Sequence, residues 1–393
     1  MIYADNAATT KMSEKAVETL TTHLRETYGN PSSLYATGQR AKEVLEDARE
    51  EIAKAVNADP REIIFTSGGS EADNQAIITA ALLGAKRGKK HIISTKFEHH
   101  AVLHTLDKLK SQGYEITLLD VHENGIVDPE DVRSAIRDDT ALVTVMYANN
   151  EIGTIQPIRE TGAICRERNV LFHTDAVQAI GHIPVDVKND NIDMLSASGH
   201  KFHGPKGVGF LYAKNGIPLK NLIEGGAQER GKRAGTENVP GIAAMAAALT
   251  DEIANLKSNS GKIQKNRDRL IAGLKEIPHC ALNGDERSRL PGNVNFCFEG
   301  IEGESLLLLL DDKGIQASSG SACTSGSLDP SHVLLAIGLP PEIAHGSLRL
   351  SIDETNNQEQ IDRILTVVPA AVERLRAISP VWDALQKSER PHC

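Results

Sequence analysis

The chain has 393 residues, of which 40% are hydrophobic and 24% charged, as in a globular protein with a substantial core. Its 43 Lys and Arg against 53 Asp and Glu give a formal charge of −10 without a basic block, which argues against nucleic acid or a membrane surface as the main partner. There is no leader pattern at the N-terminus, no bilayer-length apolar run and no C-x-x-C pair among the five Cys, so we expect a cytoplasmic protein with reduced thiols.

Short apolar runs alternate with helical patterns through the first part of the chain. Residues 1–12 are too polar to predict an element, and we expect them to lie across a site. Strands that alternate with helices over about 150 residues predict an α/β fold with a mainly parallel sheet. The predicted strands are 62–66, 91–95, 115–121, 141–148, 170–175, 192–197 and 208–213, and the predicted helices are 41–56, 72–83, 101–110, one opening at 128–129, and 158–168.

The pattern changes near residue 240. Two helices are predicted at 241–256 and 258–274, separated by a polar stretch near 256–261. Strands at 293–298 and 314–317 and helices at 331–336 and 358–377 follow. This change predicts a second, smaller α+β domain.

Lys201 is the first candidate for chemistry. It follows a predicted strand, lies beside Ser198 and His200, and precedes a Gly/Pro turn. A lysine there is suited to attack a carbonyl as a Schiff-base residue. Taken alone, an ordinary strand-end lysine is the better interpretation.

Two further strand ends carry polar groups that suit a charged ligand. The loop 66–71 contains Gly69 and Ser70 at a helix start, where backbone N–H groups bind phosphate, although an ordinary N-cap is favoured on this evidence alone. Asp175 ends a buried strand, where a carboxylate needs a cationic partner such as a protonated pyridine nitrogen, or it caps the next segment. Gln178 would face the same way if a helix begins there.

Residues after two other strands are weaker candidates. His99 could stack on an aromatic cofactor and move protons, whereas His100 is better interpreted as a polar loop residue. Asn150 could bond a cofactor oxygen, although turn-forming Asn is the common case. Arg349, in a strand-like run, could clamp a carboxylate or form a cross-strand ion pair. The basic loop 231–238, with Thr236, could complete a phosphate site or be a solvated turn.

Cys323 lies among small residues in the segment 318–327, which predicts a mobile surface loop. Its solitary thiol is either incidental or reactive, and the reactive interpretation is slightly favoured because a free Cys is usually buried. Cys165 and Cys297 fall in helical and strand patterns and are predicted to be core. Cys280 lies near a strand end, and Cys393 is the last residue.

Together these segments resemble the pyridoxal-phosphate cysteine desulfurases of the NifS/IscS type, within the class V aminotransferase family. The resemblance runs essentially end to end, and the segment around Cys323 separates this group from other class V enzymes. The matching segments are 3–10, 29–33, 65–71, 98–102, 149–153, 175–178, 198–201, 233–236 and 318–325.

The resemblance implies a role for each candidate residue. Lys201 forms the Schiff base with pyridoxal 5′-phosphate, His99 stacks on its ring, and Asp175 pairs with its nitrogen. Gln178 and Asn150 bond the phenolic oxygen, and Arg349 with Asn150 binds the substrate carboxylate. The phosphate is held by Gly69, Ser70, Ser198 and His200, with Thr236 from the other subunit of a homodimer. Many relatives have Thr where Ser70 stands, and Ser keeps the hydroxyl.

The implied reaction converts L-cysteine to L-alanine and leaves a persulfide on Cys323, which is passed to an iron–sulfur scaffold protein. Cys323 is also a candidate iron–sulfur ligand shared with that scaffold. Residues 13–257 are predicted to form the large cofactor domain of fold type I, with a seven-stranded sheet; residues 1–12 and 258–393 form the small domain. The alternatives are a lyase or aminotransferase of the same fold, such as a selenocysteine lyase, and a catalytically silent sulfur carrier.

Overall fold

A seven-stranded sheet lies at the centre of the chain, whose computed structural model describes residues 1–319 and 330–389. The strands, in chain order, are β1 (Ile2–Tyr3), β2 (Ile63–Thr66), β3 (His91–Thr95), β4 (Glu115–Leu119), β5 (Thr140–Thr144), β6 (Leu171–Asp175), β7 (Met194–Ser198), β8 (Gly209–Ala213), β9 (Cys280–Leu282), β10 (Asn293–Phe298), β11 (Ile315–Gln316) and β12 (Ser347–Ser351). The central sheet has the order β2-β8-β7-β6-β5-β3-β4.

Five neighbouring strands of this sheet, β7-β6-β5-β3-β4, are parallel, and β8 runs antiparallel to both β7 and β2. Parallel strands need crossover helices, which cover both faces of the sheet. Successive strand residues therefore enter different cores: Ile92 packs with Ala76 and Leu106 on one face, and Ile93 packs with Phe172 on the other. The predicted α/β fold with a mainly parallel seven-stranded sheet is confirmed.

The helices cover both faces of this sheet and surround the second one. Asp128 caps α5 and Pro129 is its first residue, as predicted. The bounds are α1 (Glu14–Glu26), α2 (Ala36–Ala55), α3 (Gly69–Ala85), α4 (His100–Ser111), α5 (Pro129–Ala135), α6 (Ile158–Glu167), α7 (Gln228–Gly231), α8 (Val239–Leu274), α9 (Gly303–Asp312), α10 (His332–Ala336), α11 (Pro341–Ala344), α12 (Gln358–Arg376) and α13 (Pro380–Glu389).

The prediction of two helices with a polar break near 256–261 is wrong. Helix α8 runs for 36 residues through Ser258, Asn259, Ser260 and Gly261. It packs against α1 and α2 on one side of this stretch and against α12 and β10 on the other. Tertiary packing at both ends thus overrides the weak helix propensity of the four residues.

A second, antiparallel sheet has the order β12-β10-β9 and its own apolar cluster, which includes Phe296, Leu350 and Ile364. Ile2 joins this cluster because β1 pairs with β11, so the expectation of no element in residues 1–12 is wrong for two residues. The domain division, with bounds at residues 12 and 257, stays a prediction.

The two predicted core cysteines, Cys165 and Cys297, are buried as expected. Cys280, which was predicted near a strand end, begins β9. Cys323 and Cys393 lie outside the described residues. Within residues 1–319 and 330–389, no helix is long and apolar enough to cross a bilayer.

Candidate active site

A cavity of about 320 Å³ lies at the carboxyl ends of the parallel strands, where α/β folds place ligands. Four of these strands supply it, with residues in or after β3, β5, β6 and β7, while β12 of the second sheet closes the opposite side. Ten residues predicted from the sequence line this cavity: Gly69, Ser70, His99, Asn150, Asp175, Gln178, Ser198, His200, Lys201 and Arg349.

Lys201 is held against the N-terminal segment. It ends a short 3₁₀ turn after β7, and its Nζ donates to the carbonyl oxygens of Ala7 (2.7 Å) and Ala8 (2.8 Å). The Nε2 atom of Gln178 donates to the same Ala7 oxygen at 2.9 Å. The polar N-terminal segment therefore lies across the site, as predicted.

Asp175 and Asp73 are two buried carboxyl groups that line the cavity and interact with each other. Burial raises the pKa of Asp175, and the charges of His99 and Lys201 oppose that rise. Burial and the neighbouring Asp175 charge raise the pKa of Asp73 well above its ordinary value, and its Oδ1 accepts no hydrogen bond. This pair favours a ligand with a cationic atom at this point.

The end of the cavity at α3 suits an anion. Its N-cap, Gly68, provides no side-chain cap, so the first-turn N–H groups are open to a ligand. A Cβ on Gly69 would lie 2.5 Å from Cγ2 of Val177, so only glycine leaves this approach clear. Burial, with the charges of Lys201 and Lys206, lowers the pKa of His200 to about 4, so its ring is neutral at pH 7 and offers one N–H donor.

Arg349 presents a buried guanidinium whose side chain is only 3% exposed. Its Nη2 donates to Asp5 Oδ1 (2.8 Å) and its Nη1 to the Asn150 carbonyl oxygen (3.1 Å), while its Nε has no partner. A buried donor without an acceptor is costly, and a carboxylate entering the cavity could accept from it.

His99 is the N-cap of α4. Its Nδ1 accepts from the Ala101 N–H at 3.1 Å, which places the proton of the neutral ring on Nε2. His100, expected in a polar loop, instead begins α4 and is half-buried, with its ring 4.6 Å from that of His332.

One predicted site residue, Thr236, is not among those that line the cavity, and another, Cys323, cannot be compared with it. Thr236 is exposed in the loop before α8. Cys323 lies outside the described residues, but both neighbouring segments reach the site. Ser318 exchanges backbone hydrogen bonds with Arg349, and His332 Nε2 donates to the Glu98 carbonyl oxygen at 2.9 Å.

Sequence reasoning missed several residues of the cavity wall. Asp73 lies three positions after Ser70 in α3, a spacing that puts both on one helix face and could have revealed it. The contact of Asp5 with Arg349 joins residues 344 positions apart, and no local pattern indicates it. Met146 and Val177 also line the cavity.

The donors and acceptors of this cavity fit pyridoxal phosphate. The open start of α3 suits its phosphate, the buried carboxyl pair suits its protonated ring nitrogen, and the amine of Lys201 suits its aldehyde. The same cavity thus offers a partner for the phosphate, the ring nitrogen and the aldehyde of pyridoxal phosphate.

Comparisons with known proteins agree with this geometry. The model of the family described as aminotransferase class-V matches residues 2–364. The cysteine desulfurase IscS of Clostridium botulinum (strain Hall) is 54% identical over 391 residues, which cover 99% of this chain and 98% of the relative. That of Methanosarcina thermophila is 54% identical over 380 residues, 97% of this chain and 94% of the relative.

Solved structures show the same fold. A NifS-like protein superposes with a TM-score of 0.89 at 38% identity and covers 95% of this chain and 100% of its own. The structure described as SspA in complex with cysteine has a TM-score of 0.80 at 34% identity over 91% of this chain and 100% of its own. This chain belongs to the class-V aminotransferase family, among its cysteine desulfurases of the NifS/IscS type.

Proposed function

We propose that this pyridoxal-phosphate enzyme removes the sulfur of L-cysteine, releases L-alanine and keeps the sulfur as a persulfide on Cys323. The observation that carries this proposal is the convergence of Lys201, Asp175 and Arg349 on one cavity, next to Ser318, from which the chain continues towards Cys323. The cofactor supplies the electron sink that allows Cα of the substrate to lose its proton.

In this proposal Lys201 attaches the cofactor and, once released, takes the Cα proton. Its amine is fixed by the carbonyls of Ala7 and Ala8, which accept hydrogen bonds and keep the Nζ pointed into the cavity. His99, which lines the cavity, would contact the ring of the bound cofactor and would carry protons through Nε2, which holds the proton of the neutral imidazole.

Asp175 would hold the cofactor nitrogen protonated, because a carboxylate buried in this wall gains most from a cationic partner. Gln178 and Asn150 would bond the phenolic oxygen. Gly69, Ser70, Ser198 and His200 would hold the phosphate, together with Thr236 of a second subunit.

Arg349, with Asn150, orients the substrate by its carboxylate, so that the substrate sulfur faces the segment that carries Cys323. The Cys323 thiolate attacks that sulfur, so that an S–S bond forms as the C–S bond breaks. The substrate carbon keeps the electrons of the C–S bond and takes up a proton to give the methyl group of alanine. The two neighbouring segments support this arrangement, since Ser318 and His332 are bonded at the cavity wall.

We further propose that the enzyme is a cytoplasmic homodimer and that an iron–sulfur scaffold protein accepts the persulfide sulfur. An iron–sulfur cluster bound by Cys323 and the scaffold would be cargo of that transfer. The net charge of −10 and the absence of a basic block favour a protein acceptor over nucleic acid.

The test measures alanine formed from cysteine with a reducing thiol present. Cys323→Ala should lower turnover by roughly 10³-fold or more while it keeps the cofactor absorbance, because only the nucleophile is removed. Cys393→Ala is the matched control and should keep full turnover. Retained turnover in Cys323→Ala would overturn the assignment of the nucleophile.

Lys201→Ala tests the covalent attachment of the cofactor separately from the sulfur transfer to Cys323. Borohydride reduction followed by mass spectrometry should fix the cofactor to the wild-type chain and to Cys323→Ala, but not to Lys201→Ala. Cofactor fixed to Lys201→Ala would show that another amine forms the covalent link.

A further inference from the structure

A second group of ligating side chains lies outside the cavity. His203, Glu252 and Glu354 each offer one ligand atom, and these three atoms lie within 4.8 Å of one another. They come from three elements: the segment after Lys201, the middle of α8, and the turn after β12. None of them lines the cofactor cavity.

Glu252 is the unusual member of this group. It is 91% buried, with 9% of its surface exposed, yet among residues 1–319 and 330–389 its carboxylate accepts no hydrogen bond and forms no ion pair. A buried carboxyl group is ordinarily protonated, paired with a cation or bound to a metal. The ammonium of Lys262 donates to the backbone carbonyl of Glu354 rather than to a carboxylate of this group, and the His203 ring faces the Glu354 carboxylate.

His203 is oriented as a ligand. Its Nδ1 lies 2.9 Å from the carbonyl oxygen of Lys11, which can only accept, so Nδ1 carries a proton, and a neutral ring then has its lone pair on Nε2. Its backbone N–H donates to Thr10 Oγ1 at 2.8 Å, and its carbonyl accepts from Ser13. The ring is thereby fixed with Nε2 directed towards Glu354 Oε1, 3.9 Å away.

The dimensions suit a single ion. Ligand atoms around an ion with bonds of ~2.1 Å lie roughly 3.0–3.4 Å apart, so small rotations of the two glutamate side chains would complete the site. A cavity of about 50 Å³ adjoins Glu252 and Glu354, which is enough for water molecules to fill the remaining positions.

We propose that His203, Glu252 and Glu354 bind a divalent first-row transition-metal ion. One imidazole nitrogen and two carboxylate oxygens are the ligand set of such ions, and two negative charges balance a dication. The ion would join the segment that follows Lys201 to α8 and to the turn after β12, and so would stabilise the contact between these three segments.

The test uses the full-length enzyme with its cofactor and Mn²⁺ as the probe, because free Mn²⁺ is measured directly by its EPR signal. Wild type should bind one Mn²⁺ per chain at this site. Glu252→Gln and Glu354→Gln each remove one charged ligand and should weaken that binding at least tenfold. Asp251→Asn removes an exposed carboxylate from the same turn of α8 and should bind as wild type does.

Thermal unfolding provides a second measurement. Mn²⁺ should raise the Tm of wild type and of Asp251→Asn, and at the same concentration should raise that of Glu252→Gln and Glu354→Gln by less, since the shift follows the affinity for the folded state. Equal Mn²⁺ affinity in wild type and Glu252→Gln would overturn the proposal. The same holds if neither Mn²⁺ nor Co²⁺ binds wild type with saturation below 1 mM, roughly the weak limit of specific binding.

Discussion

Arg349 shows how a single side chain can select the substrate. Replacement by Lys keeps the charge but loses the fork that can bind both oxygens of a carboxylate, and a hydrogen bond to a charged group contributes about 1.5–3 kcal/mol. Arg349→Lys should therefore raise the KM for cysteine roughly 10- to 100-fold. Cofactor absorbance should not change. Steady-state kinetics on enzyme with matched cofactor content would measure this effect.

The matched control is Arg137→Lys, a surface arginine that pairs with Glu115 and Asp139 far from the cavity. Its KM should equal that of wild type. An Arg349→Lys enzyme with unchanged KM and lowered kcat would contradict a role in carboxylate binding.

Glu98 makes stability depend on pH. Burial raises its pKa to about 8, well above that of a solvated carboxyl group, while Oε1 accepts from Thr95 and Met146 and Oε2 has no partner. Between about pH 4.5 and 8 the folded state keeps a proton that the unfolded chain has lost. The free energy of unfolding therefore falls as the pH rises through this window.

Glu98→Gln removes this titration, since an amide keeps the shape and one acceptor oxygen. Between pH 5 and 8.5 wild type should lose more stability than the variant, by an amount on the order of a few kcal/mol. Denaturant unfolding at both pH values measures the difference. Exposed Glu123→Gln should follow wild type, and parallel pH curves for wild type and Glu98→Gln would disprove a buried titrating Glu98.

How much the sequence predicts depends on how local the signal is. Polar residues at strand ends, such as Asp175 and Lys201, could be placed because parallel strands end on one edge of the sheet. Ala7, whose carbonyl fixes Lys201, and Asp5, which pairs with Arg349, are distant in sequence from their partners. Such contacts arise only when the N-terminal segment meets the second sheet, so no spacing predicts them.

At the scale of elements, a substitution in the middle of α8 can test whether this long helix is continuous in solution. Gly261 is exposed in the middle of this helix, and a Cβ there meets nothing within 4 Å. Gly261→Ala should therefore increase the free energy of unfolding by about 0.5–1 kcal/mol through helix propensity and loss of freedom in the unfolded chain. Denaturant unfolding at constant pH would measure the gain.

The same substitution in α6 is the matched comparison. A Cβ on Gly162 would lie 2.5 Å from the backbone oxygen of Asp190, which cannot move aside easily, so Gly162→Ala should destabilise the protein. If Gly261→Ala also destabilised it, the exposed centre of α8 would not be helical in solution.

At the scale of the whole molecule, Thr236 poses the question of how many chains build one site. It is exposed and does not line the cavity of its own chain, although the resemblance places it at the phosphate. Thr236→Ala should weaken cofactor binding by about tenfold, the effect of losing one hydrogen bond to a charged group. A second experiment asks whether the Thr236 hydroxyl contributes to the cofactor site of its own chain or to that of a second chain.

Mixed dimers answer it. A dimer of one Thr236→Ala chain and one Lys201→Ala chain contains one intact site only if each Thr236 serves the other subunit, because that site combines Lys201 of the first chain with Thr236 of the second. Half of its sites should then hold the cofactor covalently with wild-type affinity. If Thr236 served its own chain, neither site would be intact and no covalent high-affinity fraction would form. Borohydride fixation across a cofactor titration distinguishes the two cases, with wild-type and single-variant dimers as references.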